Sequence, residues 1–489
     1  MSKILFVSSE AYPLIKTGGL ADVAGSLPIA LQKEHQDVRL LLPAYRQVLA
    51  EVTKTKLLAS TSYYNIKVDI LETRLPGSKV KVWLVNSPTL FDRNGSPYLD
   101  ANGDSWHDNA LRFAVFCKVA TDIALDRLTM NWHADIVHCN DWQTGLVPAL
   151  LSMHAERPAT VFTIHNLSYQ GLFDYQTYID LALPEEFWHM HSLEFYGQLS
   201  FIKGGLVYAD IITTVSPTYA HEILGEEFGC GLDGLLNSRS QSLFGIINGI
   251  DYTIWNPGSD AFLQQKFNIR SLSKKSINKT ALQQSLSLPV DASTPMLGMI
   301  SRLVQQKGLD IILESLPTLL ELSEKDRLQI VILGTGETHY EMLLLELAAQ
   351  YPERLKVIIG YDEALAHNIE AACDLYLMPS IFEPCGLNQL YSLRYGTLPI
   401  VTPVGGLADT VIDASDENIS ANRANGFVQE QQTPAALLNS VKRALLIYKK
   451  PDLWRQLQIC GMSADFSWQS SARSYVALYE KALEELTAS

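Results

Sequence analysis

The chain has 489 residues, of which 47% are hydrophobic and 19% are charged; this globular composition favours two domains, because a single core rarely serves more than about 250–300 residues. Its formal net charge of −15 excludes a general affinity for nucleic acid or for an anionic membrane, since both need a basic surface. The six cysteines are scattered without Cys-x-x-Cys spacing, which indicates neither a disulfide framework nor a zinc ribbon.

Targeting and membrane segments are not predicted. The apolar run at residues 3–7 is too short for a signal peptide and lacks the composition of a transit peptide. No stretch approaches the roughly 20 apolar residues that a membrane helix requires. Together with the unpaired cysteines, these features predict a soluble protein of the reducing cytoplasm, with no membrane partner.

Short apolar, β-branched runs alternate with helical patterns along the whole chain, which is typical of parallel sheets buried between helices. The strands predicted in the first half are residues 4–8, 38–42, 80–85, 136–139, 161–164 and 211–215. Those of the second half are residues 296–300, 329–333, 356–359, 375–378 and 398–402. Helices are predicted between them, for example at 110–126, 309–320, 340–350 and 387–395, where apolar residues recur at three and four. The fold class is therefore α/β, with two doubly wound parallel sheets.

Turn-forming residues are concentrated at 248–258, midway between the two sets of strands, and predict a hinge there. The stretch that follows, 270–287, is rich in Lys, Ser, Asn and Gln. We expect it to form an exposed face that leads into the second domain and carries no chemistry.

One internal repeat links the two halves, because Gly18-Gly19-Leu20-Ala21-Asp22 and Gly405-Gly406-Leu407-Ala408-Asp409 are the same pentapeptide. Each follows a predicted strand and opens a helical pattern, where backbone N–H groups bind anions. The alternative is that both pairs of glycines serve only tight turns needed for packing.

The segment between the first predicted strand and helix carries Lys16 close to Gly18 and Gly19. Glycines let the backbone approach phosphate oxygens and a lysine ammonium adds a point charge, so the segment suits a diphosphate. Taken alone, Lys16 also fits a solvated surface position. The pattern is neither Gly-x-Gly-x-x-Gly nor Gly-x-x-x-x-Gly-Lys-Ser/Thr, so it supports neither a dinucleotide fingerprint nor an ATPase P-loop.

Charged residues of the second half also lie between predicted strands and helices. Arg302 and Lys307 follow strand 296–300, where ligands of open α/β sheets bind, and suit a diphosphate whose charge grows as a glycosidic bond breaks. Glu383 follows strand 375–378, and a carboxylate there can accept sugar hydroxyls or shield positive charge at an anomeric carbon. The alternatives are ordinary surface cations and a first-turn Glu favoured by the helix dipole.

Polar and aromatic residues end other predicted strands. Asp141 and His165 each terminate a strand of the first half, where loop residues can converge on a site, although strand-end residues are more often caps. Tyr361 follows strand 356–359, and its ring is suited to stacking on a nucleobase.

Lys16-Thr17-Gly18-Gly19-Leu20 resembles the N-terminal signature of bacterial glycogen synthases and plant starch synthases. Other segments are similar to that family in the same order along essentially the whole chain. They are Gly95-Ser96-Pro97-Tyr98, Asn140-Asp141-Trp142, Thr163-Ile164-His165-Asn166, Asn248-Gly249-Ile250-Asp251, Ser301-Arg302-Leu303, Gln306-Lys307-Gly308, Glu383-Pro384-Cys385-Gly386-Leu387, Gly405-Gly406-Leu407 and Asp465-Phe466-Ser467-Trp468.

The resemblance implies a GT-B glycosyltransferase, in which two Rossmann-like domains face each other across a cleft. Residues 1–244 would form the first, acceptor and catalytic domain, with a final helix at about 463–489 packed back on it. Residues 245–462 would form the domain that binds the nucleotide sugar.

The resemblance also implies site residues. Catalytic roles fall to Lys16, Asp141, His165, Arg302, Lys307 and Glu383, of which Arg302 and Lys307 would stabilise the departing nucleoside diphosphate. Substrate contacts fall to Gly18, Gly19, Asp22, Tyr98, Trp142, Asn166, Asn248, Tyr361, Cys385, Gly386, Leu387, Gly405 and Gly406. Cys385 is expected only to line the site, since a small buried thiol needs no chemistry.

One residue departs from the family pattern. Many relatives carry His where this chain has Gln143, and an amide cannot transfer protons, so a proton-transfer role at that position is in doubt. Neither a His-Glu-x-x-His motif nor a clustered Cys/His ligand set is present in the sequence. We therefore expect no metal or other cofactor.

The implied activity is transfer of glucose from ADP-glucose to the non-reducing-end 4-hydroxyl of an α-1,4-glucan such as glycogen, with retention of configuration. The preference for ADP comes from the bacterial resemblance and not from residue chemistry. Two alternatives stay open: a transferase of the same architecture with another donor or acceptor, and a catalytically silent glucan-binding protein. The joint presence of Arg302 and Lys307 favours an enzyme.

Overall fold

The computed structural model describes residues 1–322 and 327–488, and the chain divides into two compact units. Unit 1 comprises Met1–Gly249 and Trp468–Ser489, and unit 2 comprises Ile250–Ser467. The divisions lie a few residues beyond the boundaries proposed from the sequence, and the first falls within the turn-rich segment 248–258.

Unit 1 is built on a large, mostly parallel sheet. Its strands are β1 (Lys3–Val7), β2 (Asp37–Pro43), β3 (Lys56–Tyr63), β4 (Ile66–Arg74), β5 (Lys81–Asn86), β6 (Ile136–Asn140), β7 (Ala159–Ile164), β8 (Leu172–Phe173), β9 (Glu194–Phe195), β10 (Gln198–Ser200), β11 (Ile211–Thr214) and β12 (Leu243–Gly245). The large sheet has the order β12-β11-β7-β6-β1-β2-β5-β4-β3, and β8-β10-β9 form a small antiparallel sheet. Pairing is parallel from β12 to β5 and antiparallel from β5 to β3.

Helices cover this sheet. They are α1 (Gly19–Lys33), α2 (Arg46–Glu51), α3 (Pro88–Phe91), α4 (Asn109–Ala124), α5 (Leu146–Ser152), α6 (Tyr175–Asp180), α7 (Phe201–Tyr208), α8 (Pro217–Glu222) and α9 (Asp233–Ser238). Strands β6 and β7 are fully buried, as expected for apolar parallel strands between helices.

Unit 2 has a second parallel sheet, of order β15-β14-β13-β16-β17-β18. Its strands are β13 (Met296–Ile300), β14 (Gln329–Gly334), β15 (Leu355–Ile359), β16 (Leu375–Met378), β17 (Leu398–Val401) and β18 (Phe427–Val428). Its helices are α10 (Lys275–Ser285), α11 (Leu309–Leu320), α12 (Thr338–Gln350), α13 (Glu363–Ala372), α14 (Asn388–Tyr395), α15 (Gly405–Thr410), α16 (Asp416–Ser420), α17 (Pro434–Tyr448) and α18 (Pro451–Ser463). Both units are thus Rossmann-like α/β folds.

The last helix, α19 (Trp468–Ala488), belongs to unit 1 although the chain reaches it from unit 2. Tyr479 of α19 is buried, and its hydroxyl hydrogen-bonds with His138 Nδ1 of β6 at 2.7 Å. The other ring nitrogen of His138 hydrogen-bonds with the Thr163 hydroxyl of β7 at 2.6 Å. Burial lowers the pKa of His138 to about 3, so the ring is neutral and joins the helix to two central strands.

The strands and helices predicted from apolar periodicity are present, with ends shifted by no more than one or two residues. No helix among residues 1–322 and 327–488 is long and apolar enough to cross a membrane.

The sequence analysis expected residues 270–287 to form an exposed face, but the structure shows that they are not simply that. It contains α10, in which Lys275 and Lys279 are buried. The Lys279 ammonium pairs with the Asp374 carboxylate at 2.5 Å, and the Lys275 ammonium donates to two backbone carbonyls and to a threonine hydroxyl. These partners compensate for removing the charges from water, which composition alone could not reveal.

Candidate active site

In unit 1, a buried carboxylate organises the turn between β1 and α1. Glu10 is 3% exposed, and its carboxylate accepts hydrogen bonds from the Thr17 backbone N–H and hydroxyl, each at 2.5 Å, and from the Gly18 N–H at 3.2 Å. These hydrogen bonds to Glu10 therefore hold the turn that carries Lys16 in place. Sequence reasoning missed Glu10, because a single carboxylate after a strand has no pattern that distinguishes it.

The glycines in the two copies of the pentapeptide have different surroundings. A Cβ added at Gly18 or Gly19 would meet no atom of the described residues within 4 Å, so packing among them does not require glycine there and open space lies beside the backbone. In contrast, Gly405 has a positive φ of 44°, and a Cβ there would overlap the Glu383 carbonyl oxygen. A Cβ at Gly406 would overlap the backbone of Cys385. The packing explanation therefore fits the second pair, and backbone access by a ligand fits the first.

The Lys16 ammonium lies 2.8 Å from the Asp22 carboxylate, and the Lys16 side chain is 40% exposed. A pair this exposed contributes little, on the order of 0–1 kcal/mol. A diphosphate can therefore replace Asp22 as the partner of Lys16 at small cost.

Tyr98 lies behind the same turn. Its hydroxyl donates to Glu10 Oε1 at 2.5 Å and hydrogen-bonds with the Ser9 hydroxyl at 2.7 Å. Burial, followed by the nearby Glu10 charge, raises the pKa of Tyr98 well above 10, so the phenol stays protonated. The structure thus gives Tyr98 a positioning contact; its predicted contact with a sugar stays a prediction.

Asp141 follows β6 and has a strained backbone. Its φ of 57° and ψ of 179° lie in a region that is essentially confined to glycine, which costs roughly 1–3 kcal/mol. The carboxylate is buried and accepts the His165 backbone N–H at 2.7 Å. Burial raises the pKa of Asp141 to about 7, although hydrogen bonds from the His165 and Asn166 backbones oppose the shift. Strain and a perturbed carboxyl at a strand end are features of functional sites.

His165 follows β7 and is held in one orientation. Its Nε2 lies 2.9 Å from Asn140 Oδ1, and the Asn140 amide nitrogen donates to the Val7 carbonyl at 3.0 Å. The Asn140 oxygen can only accept a hydrogen bond, so His165 Nε2 carries the proton. His165 Nδ1 is then unprotonated and can accept a hydrogen bond. Burial lowers the pKa of His165 to about 3. The neutral ring can accept a hydrogen bond from a sugar hydroxyl, but it cannot act as a cationic acid near neutral pH.

The remaining predicted residues of unit 1 have mixed surroundings. The Trp142 ring packs within an aromatic cluster, with centroids 5.1 Å from Phe113 and 6.2 Å from Phe201. Asn166 Oδ1 accepts the backbone N–H of Ser168. Asn248 Oδ1 is buried and has no hydrogen-bond partner among residues 1–322 and 327–488, which leaves an acceptor for a ligand or a water molecule.

In unit 2, Lys307 and Glu383 form the centre of a second cluster. The Lys307 ammonium contacts the Glu383 carboxylate at 2.5 Å, with side-chain exposures of 18% and 8%. The Ser380 hydroxyl also donates to Glu383, at 3.1 Å. Gly308 has a φ of 74°, and its backbone lies against the Pro379 carbonyl, so the Lys307 turn packs on the loop that follows β16.

Gln306 connects Arg302 to this cluster. An Arg302 guanidinium nitrogen donates to Gln306 Oε1 at 3.3 Å, and Gln306 Nε2 donates to the Phe382 carbonyl at 3.2 Å. The Arg302 side chain is otherwise exposed. Sequence reasoning noted Gln306 within a motif but gave it no role; in the structure it aligns the guanidinium with the loop of Glu383.

Other predicted residues of unit 2 line this loop or lie apart from it. Cys385 is buried, and its carbonyl accepts the Gln389 side chain at 2.9 Å. Gly386 has a φ of 72°, and Leu387 caps α14. Tyr361 is 74% exposed after β15, with its hydroxyl bonded to the Glu363 carboxylate at 2.9 Å. The structure therefore brings Arg302, Lys307, Glu383, Gly405 and Gly406 together, whereas Tyr361 stands on a separate loop.

No group of three or more His, Cys, Asp or Glu side chains in the described parts of the chain is arranged to hold a metal ion.

A family profile described as the starch synthase catalytic domain matches residues 3–238, and one described as glycosyl transferases group 1 matches residues 283–456. The chain is 56% identical over 481 residues to the glycogen synthase of Cellvibrio japonicus, covering 98% of this chain and 99% of that protein. It is 54% identical over 486 residues to glycogen synthase 1 of Methylococcus capsulatus, covering 99% and 98%.

Solved structures agree. The catalytic domain of starch synthase IV from Arabidopsis thaliana, bound to ADP and acarbose, matches with a TM-score of 0.88 and 33% identity, covering 99% of each chain. Sucrose-phosphate synthase from Thermosynechococcus elongatus matches with a TM-score of 0.59 at 16% identity, covering 99% of this chain and 100% of that one, which shows the fold alone. The chain matches glycogen synthases over almost its whole length, and its structure closely matches that of a starch synthase. It therefore belongs to the glycogen synthase and starch synthase family of GT-B glycosyltransferases.

Proposed function

We propose that the enzyme transfers glucose from ADP-glucose to the non-reducing-end 4-hydroxyl of an α-1,4-glucan, with retention of configuration and release of ADP. The observation that carries the proposal is the 2.5 Å contact between Lys307 and Glu383. It joins a cation suited to a diphosphate to a carboxylate suited to sugar hydroxyls, and these are the two parts of a nucleotide sugar.

Lys307 and Arg302 stand on the turn after β13 of unit 2 and would bind the diphosphate. Within unit 1, Lys16 stands beside the open backbone of Gly18 and Gly19 and is itself suited to a phosphate group. As the bond between the anomeric carbon and the phosphate oxygen lengthens, negative charge accumulates on the phosphate, and positioned cations stabilise it. The starch synthase relative that was solved with ADP supports adenine as the base of the donor.

His165 and Asp141 would shape the glucosyl pocket. Neutral His165 offers Nδ1 as an acceptor, and Asp141 is held by the backbone N–H of His165. We assign neither of them as a nucleophile. The departing phosphate would take the proton of the acceptor hydroxyl on the face where it leaves, so that the new glycosidic bond forms where the old one breaks and the α-configuration is kept. Trapping a covalent glucosyl-enzyme at Asp141 or Glu383 would refute this mechanism.

The test is to incubate the purified protein with glycogen and either ADP-glucose or UDP-glucose, and to measure release of nucleoside diphosphate. We expect release from ADP-glucose at a higher kcat/KM than from UDP-glucose, α-linked product by NMR, and loss of turnover in Lys307→Ala and Glu383→Ala. Absence of release from both donors would instead indicate a glucan-binding protein without catalytic activity. A preference for UDP-glucose would contradict the assigned base.

A further inference from the structure

The hydroxyl of Tyr376 lies where two central strands of unit 2 separate. Strand β13 pairs with β14 along its whole length, as far as Ile300, but its pairing with β16 ends at Gly298 and Tyr376. Beyond Ile300 the chain stays with β14, because the Ser301 backbone N–H donates to the Leu333 carbonyl at 3.1 Å. The carboxyl ends of β13 and β16 therefore diverge.

This divergence lies where the strand order of the sheet reverses. In the order β15-β14-β13-β16-β17-β18, the chain proceeds to one side from β13 and to the other side from β16. Ligands of open α/β sheets bind outside the carboxyl ends of the strands at such a point. The turn that carries Arg302 and Lys307 follows β13, and the loop that carries Glu383 follows β16. The spacing of the two strand ends therefore sets the spacing between the cations and the carboxylate.

The Tyr376 hydroxyl fills the gap between the strand ends with a complete set of hydrogen bonds. It accepts the Ile300 backbone N–H at 2.8 Å and donates to the Ile300 carbonyl at 2.9 Å. It also accepts the Asn388 side-chain amide at 2.7 Å, and that amide nitrogen donates to the Ile300 carbonyl at 2.6 Å. A phenol has one hydrogen and two lone pairs, so the hydroxyl has no capacity left for a ligand. Burial raises the pKa of Tyr376 well above 10, so the hydroxyl keeps its hydrogen.

The ring of Tyr376 reaches a third segment of the candidate site. It is fully buried and packs in one cluster with Val404 and Leu407, which flank the second glycine pair of the pentapeptide repeat. That pair lies against the backbone of the Glu383 loop. Asn388 begins α14 directly after the same loop. Tyr376 thus connects the end of β13, the start of α14 and the start of α15.

We propose that Tyr376, assisted by Asn388, is a positioning residue that fixes the cationic turn after β13 relative to the Glu383 loop. We call the two side chains the strand-end clamp. A continuous backbone ladder would draw the ends of β13 and β16 together, and an empty gap would leave buried backbone groups unpaired. The clamp avoids both, so the crevice between the strand ends keeps a fixed width. The chemistry of the donor rests on the proposed function, whereas binding of a nucleoside diphosphate can be measured without turnover.

The binding measurement is the Kd of the full chain for ADP and for UDP, by titration calorimetry without glycogen or sugar nucleotide. Tyr376→Phe keeps the ring but removes the acceptor of the Ile300 N–H, which frees the end of β13. We expect the Kd to rise several-fold. The matched control is Tyr395→Phe, because the buried Tyr395 lies at the opposite end of α14 and its hydroxyl donates to Asp260 at 2.5 Å. Both changes should lower Tm by a few degrees, but only Tyr376→Phe should change the Kd.

The turnover measurement uses ADP-glucose and glycogen. Tyr376→Phe should lower kcat/KM for the donor roughly tenfold or more, because a misplacement of about 1 Å in groups that act together can cost about a hundredfold. The donor KM should rise while the KM for glycogen stays at the wild-type value. A purely structural role would lower Tm and the amount of folded enzyme, and it would change neither the donor KM nor the Kd.

Asn388→Ala tests the second member of the clamp, and it also serves if Tyr376→Phe fails to fold, because Asn388 is only partly buried. It should raise the Kd and the donor KM in the same direction. In the double variant the losses of kcat/KM should be less than additive, because both side chains bond the same carbonyl. Additive losses would overturn the clamp.

The clamp and the proposed function can fail separately. A wild-type protein that binds ADP but releases none from ADP-glucose would reject the proposed function, and a raised Kd in Tyr376→Phe would still support the clamp. Wild-type values of the Kd and the donor KM in folded Tyr376→Phe would reject the clamp alone. If that variant does not fold, wild-type values in Asn388→Ala would reject the clamp equally. A wild-type protein that binds neither ADP nor UDP would reject both.

Discussion

The Tyr98 hydroxyl donates to the Glu10 carboxylate at 2.5 Å, and this single bond joins the loop before α4 to the turn that carries Lys16. Glu10 in turn accepts the Thr17 and Gly18 backbone N–H groups. The position of the Lys16 turn therefore depends on a buried hydrogen bond to a residue far away in sequence.

Replacing Tyr98 by Phe tests that dependence. The change removes a hydrogen bond to a charged group, worth about 1.5–3 kcal/mol, while it keeps the ring. We expect roughly a tenfold or greater loss of kcat/KM for the sugar nucleotide, with a fall in Tm of several degrees that the control variant should share. Tyr63→Phe is the matched control, because the Tyr63 hydroxyl donates to the Asp122 carboxylate at 2.6 Å outside the site. Equal activity of the two variants would show that Glu10 does not position the turn.

The paired glycines give a second prediction with an internal control. The added methyl of Gly18→Ala meets no atom within 4 Å in the part of the chain that the structure describes, and residue 18 has an extended backbone, so the variant should keep the wild-type Tm. If the backbone there approaches a diphosphate, the added methyl should raise the donor KM several-fold. Gly405→Ala should behave in the opposite way, since it combines a positive φ with overlap on the Glu383 carbonyl. Its Tm should fall by several degrees. A stable, fully active Gly18→Ala enzyme would contradict the role given to the first pair.

A double-mutant cycle on Lys307 and Glu383 tests whether the pair is coupled in the folded protein. Lys307→Ala leaves a carboxylate that is 8% exposed without its cation, and the expected loss is about 3 kcal/mol. Adding Glu383→Gln should restore much of that stability without restoring turnover. The exposed pair Lys481–Glu485, at 3.7 Å, is the control and should show coupling below about 1 kcal/mol. Additive losses at Lys307 and Glu383, measured by denaturant unfolding, would exclude the coupling.

The raised pKa of Asp141 predicts a dependence of stability on pH. The folded protein holds the proton up to a pH of about 7, whereas an unfolded Asp releases it near its ordinary pKa of 3.8. Between these values the folded state binds more protons, so stability attributable to Asp141 falls as pH rises. Asp141→Asn removes this loss. The free energy of unfolding of the variant, relative to wild type, should therefore increase by a few kcal/mol from pH 4 to pH 7.

Buried His165 and His138 give the opposite trend, but both are present in the wild type and in the variant, so their effects cancel in the difference. Asp291→Asn is the control. The Asp291 carboxyl is exposed and has a lowered pKa because of hydrogen bonds from Ser293 and Thr294. The difference in free energy of unfolding between Asp291→Asn and wild type should not change with pH above about 5. A flat difference for Asp141→Asn as well would contradict the raised pKa.

Apolar periodicity predicted the longer parallel strands because their burial on both faces leaves continuous apolar runs. It missed β3, in which no residue is buried, and β4, in which only Val68 and Ile70 are buried, because both strands give weaker apolar runs. It also missed β8, β9, β10, β12 and β18, which are only two or three residues long.

The candidate site residues were assigned because they follow predicted strands or stand in motifs, and their roles stay predictions. Lys307 and Glu383 were placed correctly beside β13 and β16, because parallel strands end at one edge of the sheet. Glu10 and Gln306 were not assigned, since their importance lies in contacts that the sequence does not encode by spacing. The strained backbone of Asp141 is likewise a tertiary property.

The contact between His138 and Tyr479 spans 341 positions of the chain. A ribosome synthesises the chain in order, so β6 leaves the exit tunnel long before Tyr479, whose hydroxyl hydrogen-bonds with His138 of that strand. All of unit 2 is synthesised in that interval. Nascent unit 1 therefore lacks the contacts of α19, and a chain that ended before residue 468 would expose the surface that α19 covers to chaperones and proteases, even though all the residues proposed for catalysis were present.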